Sequence, residues 1–224
     1  LPVVSAAELQ GVVQKLSAYE AASGAGWAGH LLSLADNADG DVDFAAAGVA
    51  LVQQLPPSWS SQLISLDASG TSAARAALFA ALGAGVDVVT YLGHGGLDRI
   101  SAAGLLDKAD VPGLANSPRL PFLAALTCSV NRFELPGFSS LGEDLVRLPG
   151  GGAVAAWSAS GLSYNAEGRA LGAWFLRELA KPANLRLGDA VLAALRDDAS
   201  GGVAATLDLY TLLGDPATRF KPVP

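Results

Sequence analysis

Residues 86–96 read Val-Asp-Val-Val-Thr-Tyr-Leu-Gly-His-Gly-Gly, and their pattern is the clearest indication of the fold class. Most of its first seven residues are β-branched, apolar or aromatic, which predicts a buried strand over Val86–Leu92. The three glycines around His94 predict a sharp loop directly after that strand. Strands that are apolar nearly throughout are typical of a parallel sheet covered on both faces. The stretch therefore predicts a parallel α/β architecture.

The rest of the chain alternates in the same way between short apolar runs and longer helical patterns. Further strands are predicted at His30–Ala35, Gln62–Leu66, Leu120–Thr127 and Ala153–Ala159. Helices are predicted at about Ser5–Ala22, Phe44–Leu55, Thr71–Leu82, Ser139–Leu148, Glu167–Ala180 and Leu187–Asp197. We predict a single α/β domain over residues 1–224, with a mainly parallel sheet and helices on both of its faces.

Composition argues against several classes of protein. Hydrophobic residues make up 51% of the 224 residues and charged residues 16%, so the chain is expected to fold. The net charge of −7 and the scattered 14 basic residues argue against a nucleic-acid partner. No apolar run is long enough for a membrane span, and residues 1–5 lack the pattern of a signal peptide.

Two reactive side chains follow successive predicted strands. His94 comes after Val86–Leu92, and Cys128, the only cysteine, comes after Leu120–Thr127. Ligands of parallel sheets bind beyond the carboxyl ends of the strands, and successive strands are usually neighbours. We therefore expect the thiol and the imidazole to lie close together, as nucleophile and general base. The N–H groups of Gly95 and Cys128 are candidates for an oxyanion hole.

Plainer interpretations of the same residues stay open. A cysteine at the end of a strand is often a small buried hydrophobe, and a Gly-His-Gly turn can be an ordinary loop. The other histidine, His30, opens a predicted strand and so lies at the opposite edge of the sheet. We interpret His30 as structural.

Several motifs resemble a known family, and they occur in the same order from end to end. Residues 91–95 (YLGHG) and 126–133 (LTCSVNRF) are similar to the segments around the catalytic histidine and cysteine of the gingipains, peptidase family C25. Residues 1–3 with 8–9 and 19–20, residues 140–143 with 151–155, and residues 213–216 (LGDP) resemble further segments of that family. The resemblance implies a caspase-like fold and a cysteine endopeptidase that forms an acyl-enzyme, without a cofactor.

The resemblance also implies roles for the acidic segment 36–43. Asp36 occupies the place of the acid that supports the histidine, and Asp43 is the nearest match to an acid at the base of a pocket for Arg or Lys. A solvated acidic turn is the plain alternative. A structural calcium site is another, although Gly40 is misplaced for an EF-hand and no Glu closes a twelve-residue loop.

Three residues near the strand Ala153–Ala159 are candidates for substrate binding. The resemblance implies that Tyr164 forms an aromatic wall of the specificity pocket, and Trp157 and Ser158 are candidates to line the same cavity. For the two aromatic residues, packing without substrate contact is an equal alternative.

The family resemblance leaves other functions open. An inactive gingipain-like binding or assembly domain and a surface transpeptidase or sortase-like enzyme are both compatible with the motifs. The family's catalytic domain has a preceding N-terminal subdomain that this sequence lacks, so that subdomain is an expected partner besides the peptide or protein substrate. An extracellular or bacterial cell-surface location is expected from the resemblance alone.

Overall fold

The structure is a computed structural model that describes residues 1–179, 181, 185–200, 208–221 and 223. Its helices are α1 (Ala6–Ala21), α2 (Phe44–Val52), α3 (Leu66–Ala84), α4 (Leu141–Arg147), α5 (Asn165–Leu179) and α6 (Leu187–Ser200). Its strands are β1 (His30–Ala35), β2 (Ser60–Ser65), β3 (Val88–Leu92), β4 (Arg99–Ile100), β5 (Leu106–Asp107), β6 (Phe122–Leu126), β7 (Ala155–Ala159) and β8 (Tyr210–Leu213). Within these residues no helix is long and apolar enough to cross a membrane. The predicted end of the fifth helix at Ala180 lies outside the described residues.

Six strands form one sheet in the order β2-β1-β3-β6-β7-β8. The pairs from β2 to β7 are parallel, and β8 runs antiparallel to β7. The predicted, mainly parallel α/β sheet is therefore confirmed. Two elements were not predicted: the edge strand β8, and the antiparallel hairpin β4-β5 that follows the His94 loop.

Helices cover both faces of the sheet, as the apolar strands require. On one face α2 packs against β1 and α5 against β6, and Leu31, Phe122 and Trp157 belong to this part of the core. On the other face, α3 and α4 enclose a second cluster that includes Leu34, Leu78 and Leu145. This double cover explains why β3, β6 and β7 are buried along their whole length.

Helix α4 begins at a capping box shortly after the segment that carries Cys128. The Ser140 hydroxyl accepts a hydrogen bond from the backbone N–H of Glu143, and the Glu143 carboxylate accepts one from the N–H of Ser140. Both side chains are buried. Because such caps satisfy N–H groups that the helix leaves free, they fix the point at which the loop after Cys128 returns to regular structure.

Lys15 ties α1 to the other end of α4. Its side chain is buried, and Nζ donates hydrogen bonds to the carbonyl oxygens of Leu145 (2.9 Å) and Val146 (3.0 Å) in the last turn of α4. Carbonyl groups at a helix C-terminus lack partners within the helix, so they are suitable acceptors for an ammonium group. Burial nevertheless lowers the pKa of Lys15 from 10.5 to about 7.

This buried lysine predicts a pH dependence of stability. Between its folded pKa of about 7 and its unfolded pKa of 10.5, the unfolded chain holds a proton that the native chain has lost, so stability rises with pH. Between pH 7 and pH 9, the free energy of unfolding should rise by about 2 kcal/mol more in the native protein than in Lys15→Met. Urea unfolding of both proteins at the two pH values measures this difference. Lys181→Met, which changes an exposed lysine, is the control. Identical pH profiles of Lys15→Met and native protein would contradict the prediction.

Candidate active site

His94 and Cys128 lie at equivalent positions on neighbouring strands. Leu92 at the end of β3 pairs with Leu126 at the end of β6, and each candidate residue follows its strand by two positions. Because β3 and β6 are parallel and adjacent strands are about 4.8 Å apart, both residues lie at the same edge of the sheet. The Thr127 hydroxyl donates a 2.6 Å hydrogen bond to the carbonyl oxygen of Gly93, which joins the two loops directly. The predicted neighbouring strands are therefore confirmed.

The imidazole of His94 contacts an acid that the sequence did not single out. His94 Nε2 lies 2.9 Å from Asp39 Oδ2, and the two side chains are 52% and 64% exposed. The Phe44 ring, at the start of α2, packs edge-on against the imidazole with ring centroids 5.8 Å apart. With a proton on Nε2 donated to Asp39, Nδ1 is the nitrogen free to accept a proton.

Asp36 contacts the backbone of His94 and not its ring. The buried carboxylate accepts hydrogen bonds at Oδ2 from the His94 N–H (3.0 Å) and the Tyr91 hydroxyl (2.8 Å). Its Oδ1 accepts from the Asn37 N–H (2.9 Å) and the Ser101 hydroxyl (2.7 Å). The expected support of the imidazole by Asp36 is thus corrected to support of the loop backbone, because Asp36 still points into the sheet edge where β1 ends.

Tyr91 links the same acid to the histidine loop. Its hydroxyl oxygen lies 2.8 Å from Asp36 Oδ2 and 2.7 Å from the carbonyl oxygen of His94. Burial, with the nearby charge of Asp36 as the second cause, raises the pKa of Tyr91 well above its usual value. The phenol therefore stays protonated, and its single hydrogen is shared between these two acceptor oxygens.

Gly93 is required by this network. A Cβ atom at Gly93 would lie 2.3 Å from the Asp36 Cβ and 2.4 Å from the Tyr91 hydroxyl oxygen, and its φ of +154° is unfavourable for other residues. A side chain here would displace the acid that holds the His94 backbone.

The N–H of Gly95 is left outside the local hairpin pairing. Gly96 N–H donates to the carbonyl of Arg99, and Ser101 N–H donates to that of His94, which makes Gly95 and Ile100 a non-hydrogen-bonded pair. The backbone groups of such a residue point away from the partner strand. A Cβ at Gly95 would lie 2.6 Å from the Cys128 carbonyl oxygen, so the two loops approach closely here.

The Cys128 thiol is half-buried and contacts one residue of the loop after β7. Its sulfur accepts a hydrogen bond from the Ser163 N–H (3.3 Å) and lies 3.4 Å from the Ser163 carbonyl oxygen, to which the thiol donates. The next residue, Ser129, has a positive φ of 59°, which non-glycine residues rarely adopt. Its N–H donates to the carbonyl of Gly161, so the same two loops are joined twice.

The model of peptidase family C25 matches residues 1–221. The chain belongs to this family. No curated protein matches it.

Solved structures agree with this membership at the level of the fold. The complex of the pro- and mature domains of Porphyromonas gingivalis RgpB is similar with a TM-score of 0.84 and 18% identity, over 99% of this chain and 56% of that one. The Arg-specific cysteine proteinase gingipain R (RgpB) gives 0.84, 18%, 99% and 55%, and a structure of a protease gives 0.75, 16%, 99% and 55%. The C25 chain spans about half the length of these neighbours. The predicted caspase- or gingipain-like fold is confirmed.

The acids of segment 36–43 have separate partners in this C25 chain. Asp43 is exposed, and its Oδ1 accepts a 2.8 Å hydrogen bond from the Ala46 N–H as the N-cap of α2. The prediction that Asp43 is a buried acid at the base of a pocket is therefore corrected. The carboxylate is exposed, and solvent weakens its attraction for a charged substrate side chain. Among the described residues, no cluster of three or more His, Cys, Asp or Glu is arranged for a metal. The calcium alternative stays an untested prediction.

The candidate substrate residues fall into two groups. Trp157 is fully buried and packs against the rings of Phe175 and Tyr210, while the buried Ser158 hydroxyl donates to the carbonyl of Ala125. Neither lines an open cavity in this structure, which corrects that expectation. Their strand continues to Ala159 and is covered on both faces. Tyr164 lies beyond the strand and is 75% exposed, and its role in substrate binding stays a prediction.

Sequence reasoning missed four residues of the site. Asp39 and Ser163 sit in irregular loops, and their contacts depend on turns that a residue pattern does not specify. Tyr91 and Ser101 complete the Asp36 network. Tyr91 belongs to the YLGHG motif and Asp39 to the acidic segment 36–43, but neither pattern indicates the contact that the residue makes.

Proposed function

We propose that this chain is the catalytic part of a cysteine endopeptidase in which Cys128 is the nucleophile and His94 is its general base. The observation that supports the proposal is the pairing of Leu92 with Leu126, which gives both candidate residues the same position on adjacent parallel strands. Membership of peptidase family C25 supports it independently.

The contacts of the site suggest how each step proceeds. Asp39 accepts a hydrogen bond from the Nε2–H group of His94, so Nδ1 is the nitrogen that takes the proton of the Cys128 thiol. The thiolate then attacks the peptide carbonyl carbon, and the N–H groups of Gly95 and Cys128 stabilise the resulting oxyanion. His94 returns the proton to the leaving amine, which breaks the C–N bond and leaves a thioester. Water, deprotonated by His94, hydrolyses the thioester and restores the thiol.

Asp36 acts through the backbone in this proposal. Its four accepted hydrogen bonds hold His94 and the flanking loop in one conformation, while Asp39 contacts the ring. A buried acid and an exposed acid therefore have different tasks: the first is a positioning residue, and the second sets the tautomer of the base.

We further propose a preference for Arg or Lys before the scissile bond. Asp39, Asp41 and Asp43 are all exposed, Asp39 contacts the His94 ring, and the similar gingipain R is Arg-specific. Because these carboxylates are solvated, the preference is expected to be modest and to weaken with salt. Asp43 remains the candidate acid for this contact.

The expected partner and location follow from the same likeness. RgpB is known as a complex of its pro- and mature domains, and this chain spans about half of such neighbours. We propose that a preceding N-terminal subdomain packs against this chain in the whole protein, and that the protein acts outside the cell or on the bacterial surface.

A panel of fluorogenic peptides tests the proposal. Among peptides that end in Arg, Lys, Leu or Glu before the reporter, those with Arg and Lys should be cleaved fastest. One equivalent of iodoacetamide should abolish cleavage, because Cys128 is the only thiol. Mass spectrometry should locate the adduct on Cys128. Activity that survives complete alkylation would overturn the mechanism, and a peptide ligated to an added amine would indicate a transpeptidase.

A further inference from the structure

The segment 160–164 beside the thiol is fixed on two sides. Ser160 N–H donates to the carbonyl of Leu209 (2.9 Å), and the Ser163 hydroxyl lies 3.0 Å from the hydroxyl of the buried Tyr210 on β8. On the other side, Ser129 N–H donates to the carbonyl of Gly161 (2.9 Å). These contacts give the segment a defined position relative to the Cys128 sulfur.

The Leu162 side chain is exposed to solvent although the segment that carries it is fixed. Its side chain is 85% exposed, the highest value among the large apolar side chains of the described residues. The next residue, Ser163, turns its hydroxyl inward to Tyr210 and its backbone to the Cys128 sulfur. An anchored leucine one residue from the sulfur contact is therefore an apolar surface that lacks a partner in the described chain.

The rim of the candidate site differs in character from side to side. Besides Leu162, the exposed Tyr164 follows β7, and Phe133 (50% exposed) and Phe138 (69%) lie on the loop after Cys128. On the His94 side, the exposed carboxylate of Asp39 contacts the imidazole. Exposed apolar side chains are therefore present in both loops that join at the thiol, and an exposed carboxylate is present at the imidazole.

We propose that Leu162 is a specificity-determining residue that contacts a large aliphatic or aromatic side chain next to the scissile bond of the substrate. The proposal rests on the proposed peptidase function and names a further feature of its substrates. The attacked carbonyl carbon must reach the sulfur, and neighbouring residues of an extended peptide are about 3.3 Å apart along the chain. A side chain one or two positions away is then at the distance of a residue adjacent to Ser163.

The test uses peptides that differ only in one apolar residue. In the base peptide, Gly occupies the second position before the cut and the first two positions after it, and the residue directly before the cut is kept constant. Each Gly is then replaced in turn by Leu. At one position, Leu should raise kcat/KM over Gly by about tenfold, the change expected when roughly half of a leucine side chain is buried. Leu162→Ser should remove this gain, mainly through a higher KM for the Leu peptide, so that the Leu and Gly peptides are cleaved with about the same kcat/KM.

Two controls separate the outcomes. Leu192→Ser, which changes an exposed leucine on α6, should retain the gain. Binding of the same labelled peptides to Cys128→Ala, measured by fluorescence polarisation, should show the same preference without hydrolysis. The Leu162→Ser change in that background should abolish the preference.

Each result decides one of the two proposals. Cleavage with no preference for Leu at any position, or a preference that survives Leu162→Ser, overturns the role of Leu162 and leaves the peptidase function standing. Selective binding by Cys128→Ala without cleavage by the native chain overturns the peptidase function and keeps the apolar contact. Neither binding nor cleavage overturns both.

Discussion

Replacing Cys128 with alanine should lower kcat toward peptides by at least about a thousandfold while the protein stays folded. The thiolate is the attacking atom in the proposed mechanism, and losing a nucleophile removes the covalent route entirely. The thiol is half-buried and makes two long contacts with Ser163, so its loss should change the free energy of unfolding by less than about 1 kcal/mol. Steady-state kinetics and urea unfolding measure the two effects separately.

Ser160→Ala is the matched control for this variant. Ser160 lies in the same loop as Ser163, and its hydroxyl lies 3.1 Å from the carbonyl oxygen of Leu209 without touching the thiol. We expect Ser160→Ala to retain kcat within a few-fold. If Cys128→Ala kept more than a tenth of the native kcat, the thiol would not be the nucleophile, and a binding domain or another chemistry would have to explain the fold.

The fold could be predicted because the informative features are regular. Strands that are apolar on both faces occur where helices cover both faces of the sheet. The apolar runs of β1, β3, β6 and β7 therefore predicted both the strands and the helices that cover them. The positions of His94 and Cys128 followed, because successive parallel strands tend to be neighbours. The edge strand β8 escaped prediction because its four residues, Tyr210–Leu213, are too few to show a clear strand pattern.

Side-chain directions in the loops could not be predicted in the same way. Asp36 was placed correctly at the end of β1, but its backbone N–H still bonds to the carbonyl of Leu92 and its side chain is drawn into the sheet edge. Asp39 reaches His94 through a turn in which Asp39 and Val42 exchange backbone hydrogen bonds. A run of acids in a sequence does not show which member a turn will aim at a given ring.

The second large effect is expected in Asp36→Asn, which should lower the free energy of unfolding. Each Asp36 oxygen accepts from one backbone N–H and one hydroxyl: Asn37 and Ser101 at Oδ1, His94 and Tyr91 at Oδ2. Hydroxyl groups can rotate to accept a hydrogen bond, but a backbone N–H cannot. Either orientation of the amide thus sets its NH₂ group against one backbone N–H, and we expect a destabilisation of about 3 kcal/mol in urea unfolding.

Asp39→Asn should reduce activity and leave stability unchanged. Asp39 is exposed, and the side-chain contact shown for it is the one with the His94 ring. We expect unchanged stability and a loss of about tenfold in kcat, since an amide no longer stabilises the protonated imidazole that forms when Cys128 gives up its proton. If Asp36→Asn were stable and inactive while Asp39→Asn had native kcat, the first acid would be the partner of the ring. The division between backbone support by Asp36 and ring support by Asp39 would then be wrong.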